Sequence, residues 1–265
     1  MNKRLLIFGF GYTAAVLSKL LIKKGWQVFG ITRSELKFRN LEKESIEPIL
    51  WEDSEKIEVE ILNGTSILIS TPPDKLGDPT FNKFSGSISL EPRKIEWVGY
   101  LSTTGVYGDY SGQWVDESSK LRTTTKRGKR RVRAENIWQS FSREINLPLH
   151  IFRLSGIYGP NRNPFKNIRG RTAKRILKPD QVFNRIHVDD IAGVLYHSMV
   201  SPDPGMIYNL SDDMPCPGGD VVEEAAKLLG FPIPLEVNFK DANLSEMAKE
   251  FYSESKRVSN RRLKE

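Results

Sequence analysis

Cysteine is almost missing. Cys216 is the one thiol in 265 residues, which excludes an internal disulfide and any multi-cysteine zinc site, and no metal is expected; this suits a reducing, cytoplasmic setting. Long apolar runs are missing as well: no stretch of about eighteen apolar residues occurs, so no membrane span is expected. There is no internal repeat, low-complexity tract or flexible linker, and the chain reads as one compact unit with two lobes. What is present is ordinary for a globular chain. The 38% apolar, 10% aromatic and 28% charged residues exclude disorder and fibrous classes. Forty Lys and Arg against 33 Asp and Glu leave a net charge of +7, so an anionic partner is expected. Charge alone does not choose among a nucleotide phosphate, a charged substrate, RNA and a membrane surface.

Asn2-Lys3-Arg4 and the apolar run after it have the outline of a leader peptide. Gly9 and Gly11 interrupt that run early, however, and a helix-period segment, Ala14 to Lys24, follows and stops at Gly25. The run Arg4 to Phe8 is instead expected to be a parallel strand buried on both faces. Further strands are expected at 27–32, 47–51, 66–70, 95–102, 149–154 and 206–210. Helices are expected at 34–43, 54–62, 132–146, 189–200 and 218–230. A polar stretch runs from Thr71-Pro72-Pro73 to about Lys94, and residues 160–182 read as a basic loop with a helical middle. Strand–helix units with short turns imply an α/β fold, a Rossmann-type doubly wound parallel sheet. The expected division is a core at 1–160 and a C-terminal part at 161–265, the latter holding a returning core strand (about 206–210) and a small substrate lobe.

Gly9-Phe10-Gly11-Tyr12-Thr13-Ala14 fits G-x-G-x-x-A between a buried strand and a helix, the context that lifts this motif above a chance match. Gly9 permits the tight turn, Gly11 lets backbone approach a pyrophosphate, and Ala14 keeps helix and strand close. The amides of Tyr12 and Thr13 then face the phosphates. An acid ending the second strand would select NAD; here the strand ends Thr32-Arg33-Ser34. Arg33 can pair with a 2′-phosphate and Thr32 and Ser34 can hydrogen-bond to it, so NADP is expected ahead of NAD. Asp53 is a candidate for the adenine amino group, and Thr71 and Pro72 for a wall on the nicotinamide side.

Three further segments carry a family resemblance. Leu101-Ser102-Thr103-Thr104-Gly105-Val106-Tyr107-Gly108, Arg153-Leu154-Ser155-Gly156-Ile157-Tyr158-Gly159-Pro160 and Arg185-Ile186-His187-Val188-Asp189-Asp190-Ile191-Ala192 resemble, in that order, signature segments of the extended short-chain dehydrogenase/reductase superfamily. That superfamily contains the NAD-dependent nucleotide-sugar epimerases and dehydratases. Thr71-Pro72-Pro73-Asp74, Gly112-Gln113-Trp114-Val115-Asp116-Glu117 and Lys256-Arg257-Val258-Ser259-Asn260 resemble its atypical, YeeZ-like bacterial members. The resemblance implies a catalytic Tyr-x-x-x-Lys pair about 24 residues after the strand-five Ser/Thr. In this chain that frame reads Arg127-Gly128-Lys129-Arg130-Arg131: tyrosine has become Arg127 and lysine Arg131. An arginine, with a pKa above ~12, cannot shuttle a proton at neutral pH.

The leading expectation is therefore an atypical oxidoreductase or epimerase acting on a small anionic substrate, a nucleotide-sugar among the candidates. Thr103 and a relocated tyrosine, Tyr107 or Tyr110, would carry its chemistry. Arg131 would hold cofactor oxygens, and Arg127, Arg162 and His187 would face the substrate, although a lone histidine in such a loop more often braces structure. The alternative is a non-catalytic protein whose NADP occupancy is a redox signal. RNA ranks last: the basic runs 122–133 and 166–178 are dense enough for phosphates, but the first has no aromatic residue to stack on bases. A homodimer is a further expectation.

Overall fold

The computed structural model describes residues 3–64 and 66–265, excepting the side chain of Met247. Asn2, part of the basic start above, lies outside them. A seven-stranded sheet organises the first part of the chain. Its strands are β1 (Arg4–Phe8), β2 (Gln27–Thr32), β3 (Glu47–Leu50), β4 (Ser66–Ile69), β5 (Trp97–Thr103), β6 (Leu149–Leu154) and β7 (Ile207–Leu210). They lie side by side as β7-β6-β5-β4-β1-β2-β3. β1 pairs in parallel with both β2 and β4, β2 with β3, and β4 with β5. Ile151 N donating to Met206 O and Ser155 N to Leu210 O continue the parallel register at the far edge. The order reverses between β1 and β4, which is where an open parallel sheet leaves a crevice at its carboxyl edge. The α/β, Rossmann-type expectation holds.

The helices follow from local signals. α1 (Tyr12–Lys23), α2 (Glu35–Lys43), α3 (Ser54–Leu62), α4 (Pro79–Leu90), α5 (Lys126–Ile145) and α6 (Val188–Val200) cover the sheet. Ser34, Asp53 and Asp78 cap α2, α3 and α4 by accepting from Lys37 N, Lys56 N and Phe81 N at 3.3, 3.2 and 3.0 Å, each satisfying an otherwise orphaned amide. Leu6 and Phe8 of β1 share one core cluster with Ile57 and Ile61 of α3, Phe84 and Ile88 of α4, and Trp138 of α5. Leu5 and Ile7 alternate to the opposite face, where α1 and α6 pack on one another. All four are fully buried, as the unbroken apolar run requires.

Two elements depart from the sequence reading. The stretch after Pro73 is not merely polar: it holds α4, whose Ser85, Gly86, Ser87 and Ser89 mask its helix character. Phe81, Phe84 and Ile88, on one face and packed in the core, outweigh that weak propensity. α5 begins at Lys126 rather than Val132, so the basic run is helical.

The chain divides into two compact units, each drawn from three segments. One comprises Met1–Thr103, Lys129–Arg153 and Val188–Tyr208; the other comprises Thr104–Gly128, Leu154–His187 and Asn209–Glu265. In the second unit, three two-stranded parallel pairs join Gly156–Tyr158 to Arg185–His187, Arg175–Leu177 to Glu236–Asn238, and Trp114–Val115 to Arg257–Val258. The segment around Lys256 is tied in by side chains. Asn184 Oδ1 accepts from Val258 N and its Nδ2 donates to Lys256 O, both at 2.8 Å. Lys256 Nζ donates to Gly108 O at 2.8 Å and pairs with Glu254 at 2.9 Å. Helix Gly218–Leu229 ends at Gly230 in the left-handed conformation, φ +66, where an L side chain would be strained. Among the described residues no helix is long and apolar enough to cross a membrane.

Within the first unit, Glu135 of α5 is fully buried between β5 and β6. It accepts from the Ser102 hydroxyl and pairs with Arg153 at 2.8 Å. Glu135→Ala strands the Arg153 guanidinium and should cost about 3–5 kcal/mol, read as a lowered urea midpoint. His150 stacks between Trp97 and Phe152; its Nε2 accepts from Asp203 N at 3.0 Å. Burial holds its pKa below the ordinary 6.5, so the folded state keeps it neutral while the unfolded chain binds a proton. Its contribution is therefore present above pH 6.5 and lost as pH falls below it. His150→Phe should flatten that part of the stability–pH curve in denaturant titrations at pH 7.5 and 5.5.

Candidate functional site

A cavity of about 470 Å³ opens at the carboxyl edge of the sheet, over the β1–β4 reversal. Gly9, Phe10 and Gly11 line it from the exit of β1. Thr32, Arg33 and Lys37 line it from β2 and α2, Trp51 from the exit of β3, and Ser70 to Asp74 from the exit of β4. Pro79 and Arg130 complete the wall. All belong to the first unit.

The two glycines differ in what they need. Gly9 has φ +87, and an added Cβ would stand 2.9 Å from both Thr71 Cγ2 and Thr71 N. Its glycine requirement lies inside the protein. Gly11 has φ −118 as the N-cap residue of α1, open to any L residue, and an added Cβ there would meet nothing within 4 Å. The protein's own packing therefore does not require glycine at 11; it leaves a cradle that a side chain would fill. Beside it, α1 has no side-chain cap, unlike α2, α3 and α4, and no acid in its first turn. The positive end of its dipole is thus left without a negative group from its own first turn, the arrangement that receives phosphate.

The β2 end of the cavity is cationic. The Arg33 guanidinium lies 4.8 Å from the centroid of the Trp51 ring, a stacking that limits a long side chain to one region. Lys37 Nζ reaches Phe10 O at 3.5 Å. Thr32 Oγ1 accepts from Ser34 N at 3.1 Å and Ser34 Oγ from Lys37 N, so both hydroxyls keep their hydrogens for a ligand.

Of the residues expected to hold a cofactor, Gly9, Gly11, Thr32, Arg33, Thr71 and Pro72 line this one cavity, and Tyr12, Thr13, Ala14, Ser34, Asp53 and Arg131 do not. Thr13 and Ala14 are buried under the turn, and the Asp53 carboxylate is occupied as the α3 cap. Arg131 faces inward: Nη1 donates to Tyr100 Oη at 3.0 Å and to Leu101 O at 2.9 Å. Its charge opposes the effect of burial, which raises the pKa of both Tyr100 and Asp78. Phe10, Lys37, Trp51, Asp74 and Arg130 were not expected. Lys37 and Trp51 carry a weak signal, one as a cation a turn beyond Arg33, the other as an aromatic at a strand exit.

The second unit is described by itself. Tyr107 is fully buried and donates its hydroxyl hydrogen to Asn209 Oδ1 at 2.7 Å. The phenol expected as a relocated acid/base is thus solvent-excluded, with its hydroxyl hydrogen given to Asn209. Tyr110 donates to Lys120 O at 2.8 Å under the Arg122 guanidinium. His187 packs edge-on against Tyr158, centroids 5.1 Å apart, and Arg162 is exposed in the turn that pairs its backbone with Gly159. Arg127 is exposed on the first turn of α5, and Thr103, closing β5, is half-buried.

No protein-family model matches the chain. It is 27% identical over 256 residues to protein YeeZ of Escherichia coli K12, covering 91% of this chain and 89% of that one. A functionally unknown conserved protein from Silicibacter pomeroyi, of solved structure, is 49% identical with a TM-score of 0.92, covering 98% of this chain and 90% of its own. The fold is shared with two NAD complexes. For the dTDP-glucose 4,6-dehydratase of Bacillus anthracis the TM-score is 0.72 at 18% identity, covering 96% and 92%. For the UDP-glucose 4-epimerase of Thermus thermophilus it is 0.73 at 16%, covering 98% and 92%.

The glycine contrast is testable without a ligand. Gly9→Ala should destabilise by about 1–3 kcal/mol, seen as a lowered melting temperature, whereas Gly11→Ala should melt within a degree or so of the parent.

Proposed function

We propose that the chain is a YeeZ-like, epimerase/dehydratase-like protein that binds a nicotinamide dinucleotide in the cavity over β1, β2 and β4, with NADP(H) preferred to NAD(H). The observation that carries this is the empty position beside Gly11, facing the uncapped start of α1. A diphosphate fits there, close to backbone and at the positive end of the α1 dipole. The NAD complexes of proteins sharing the fold support the ligand class. Preference for the 2′-phosphate rests on Arg33 stacked on Trp51, the hydroxyls of Thr32 and Ser34, and Lys37. β2 ends Thr32-Arg33-Ser34, without an acid at its end to accept from a free 2′-hydroxyl.

A bound nicotinamide supplies a two-electron acceptor or donor. Epimerase- or dehydratase-type turnover also needs a proton relay, and in the frame where the family resemblance implies tyrosine and lysine this chain has Arg127 and Arg131. With Tyr107 sealed against Asn209, the binding role ranks first, its occupancy following the cellular redox balance. A second reading keeps catalysis on an anionic substrate, a nucleotide-sugar among the candidates. It is favoured by the half-buried Thr103 at the carboxyl end of β5 and the exposed Arg127 and Arg162. Thr103 alone is a weak acid, but it can hydrogen-bond a substrate oxygen.

Calorimetric titration tests the proposal. The parent should bind NADP+ more tightly than NAD+. Arg33→Asp should weaken NADP+ by about tenfold to a hundredfold, the range of a charge-assisted phosphate contact, with NAD+ far less affected. Gly11→Val should remove binding of both while leaving the fold intact. Equal losses for the two coenzymes in Arg33→Asp overturn the NADP assignment, and no heat from either with the parent overturns the proposal.

A further inference from the structure

The cavity's two ends are built from different chemistry. At the β2 end, cations and hydroxyls are abundant. Past Ser70 and Thr71 at the exit of β4, the wall continues as Pro72, Pro73, Asp74 and Pro79. Three of these four have no backbone N–H to offer, and the Asp74 carboxylate, which accepts from Leu76 N at 2.7 Å, repels an anion. A ligand reaching over β4 with phosphate or ribose oxygens therefore finds one cationic donor among the residues lining that part of the wall, the guanidinium of Arg130.

Arg130 is placed for this in a way its neighbour is not. Arg131 is turned inward onto Tyr100 Oη and Leu101 O. Successive helical residues are ~100° apart around the axis, so on α5 an inward Arg131 leaves Arg130 on a different face, here toward the cavity. Among the described residues, no hydrogen bond or ion pair within the protein engages the Arg130 side chain, although it is half-buried. Holding an arginine partly desolvated without an acceptor is unfavourable unless an acceptor arrives. Its planar fork of five N–H donors suits paired phosphate or diol oxygens.

We infer that Arg130 is the cation for the half of the dinucleotide lying across β4, its second phosphate and the attached ribose, whereas Arg33 serves the 2′-phosphate end. This rests on the dinucleotide-binding proposal above, and fragments of the ligand separate the two. Titration would use NADP+ and 2′,5′-ADP, which lacks the second phosphate and second ribose, against the parent, Arg130→Gln and Arg33→Gln. Arg130→Gln should lose about tenfold in affinity for NADP+ yet bind 2′,5′-ADP within about twofold of the parent. Arg33→Gln should weaken both. Arg130→Lys, which keeps charge without the fork, should fall between parent and Gln for NADP+. The melting temperature of unliganded Arg130→Gln should match the parent, since no protein partner is lost. An Arg130→Gln variant that binds NADP+ like the parent, or loses equally for both ligands, overturns the inference while leaving the dinucleotide proposal standing. A parent that binds neither ligand overturns the dinucleotide proposal itself, and this inference with it.

Discussion

Parallel strands deliver all their carboxyl ends to one edge, and in this chain the exits of β1 and β4 come within van der Waals distance of each other there. Gly9 and Thr71 meet at a separation that leaves no room for a Cβ, with Gly9 in a backbone conformation that L side chains avoid. That approach seats the end of β1 against β4 and turns the chain sharply into α1. Gly11, Thr71 and the proline wall are consequences of the same turn. A hydrogen bond from Ser70 N to Phe8 O at 2.8 Å extends the β1–β4 ladder to its last residue, so the floor of the cavity continues the sheet and inherits its rigidity. Sites on such elements hold their geometry better than sites on loops.

The pair Arg130 and Arg131 shows how one residue of helical phase separates two jobs. Inside, the Arg131 charge works against the upward pKa shift that burial imposes on Asp78 and Tyr100, and its hydrogen bonds stitch α5 to β5. Outside, Arg130 faces the cleft. A lysine at the inward position would give a point charge on a flexible stem; arginine spans both the phenol and the carbonyl with one planar group. The buried Ser102–Glu135–Arg153 set, one turn further along α5, repeats the pattern on a larger scale. Polar groups joining this helix to the sheet are satisfied by one another, and the helix is thereby held in register with the strand exits.

Much of this was legible in the residues, for physical reasons. Arg4 to Phe8 is apolar at every position but the first because the strand is covered on both faces, and Gly9 and Gly11 sit where strand and helix periodicities meet. Ser34, Asp53 and Asp78 mark helix starts by the chemistry of capping. α4 was obscured because Ser85, Gly86, Ser87 and Ser89 speak against a helix that Phe84 and Ile88 enforce only once a core exists to bury them. The site was legible to the extent that it is backbone: the turn, the missing acid after β2, Arg33. Lys37, Trp51, Asp74 and Arg130 escaped because they converge from four segments, and convergence is a tertiary fact. The burial of Tyr107 and the bond from its hydroxyl to Asn209 were not legible, because both depend on segments distant in sequence. The three-segment make-up of each compact unit was not legible, because the chain passes back and forth between the units whereas composition changes only gradually.

Trp51 belongs to two structures at once. One side of its indole carries Arg33, and its edge meets Phe84 at 5.5 Å and Phe8 at 6.5 Å between ring centroids, inside the cluster that packs β1 against α4. Whatever rests in the crevice at that point touches the same aromatic group that the interior is built around. A lineage altering coenzyme choice could exchange Arg33 or Lys37 freely, because they are solvent-facing, but replacing this tryptophan would unpack the domain. Divergence of ligand preference is thereby channelled to the charged rim, with the aromatic floor inherited unchanged.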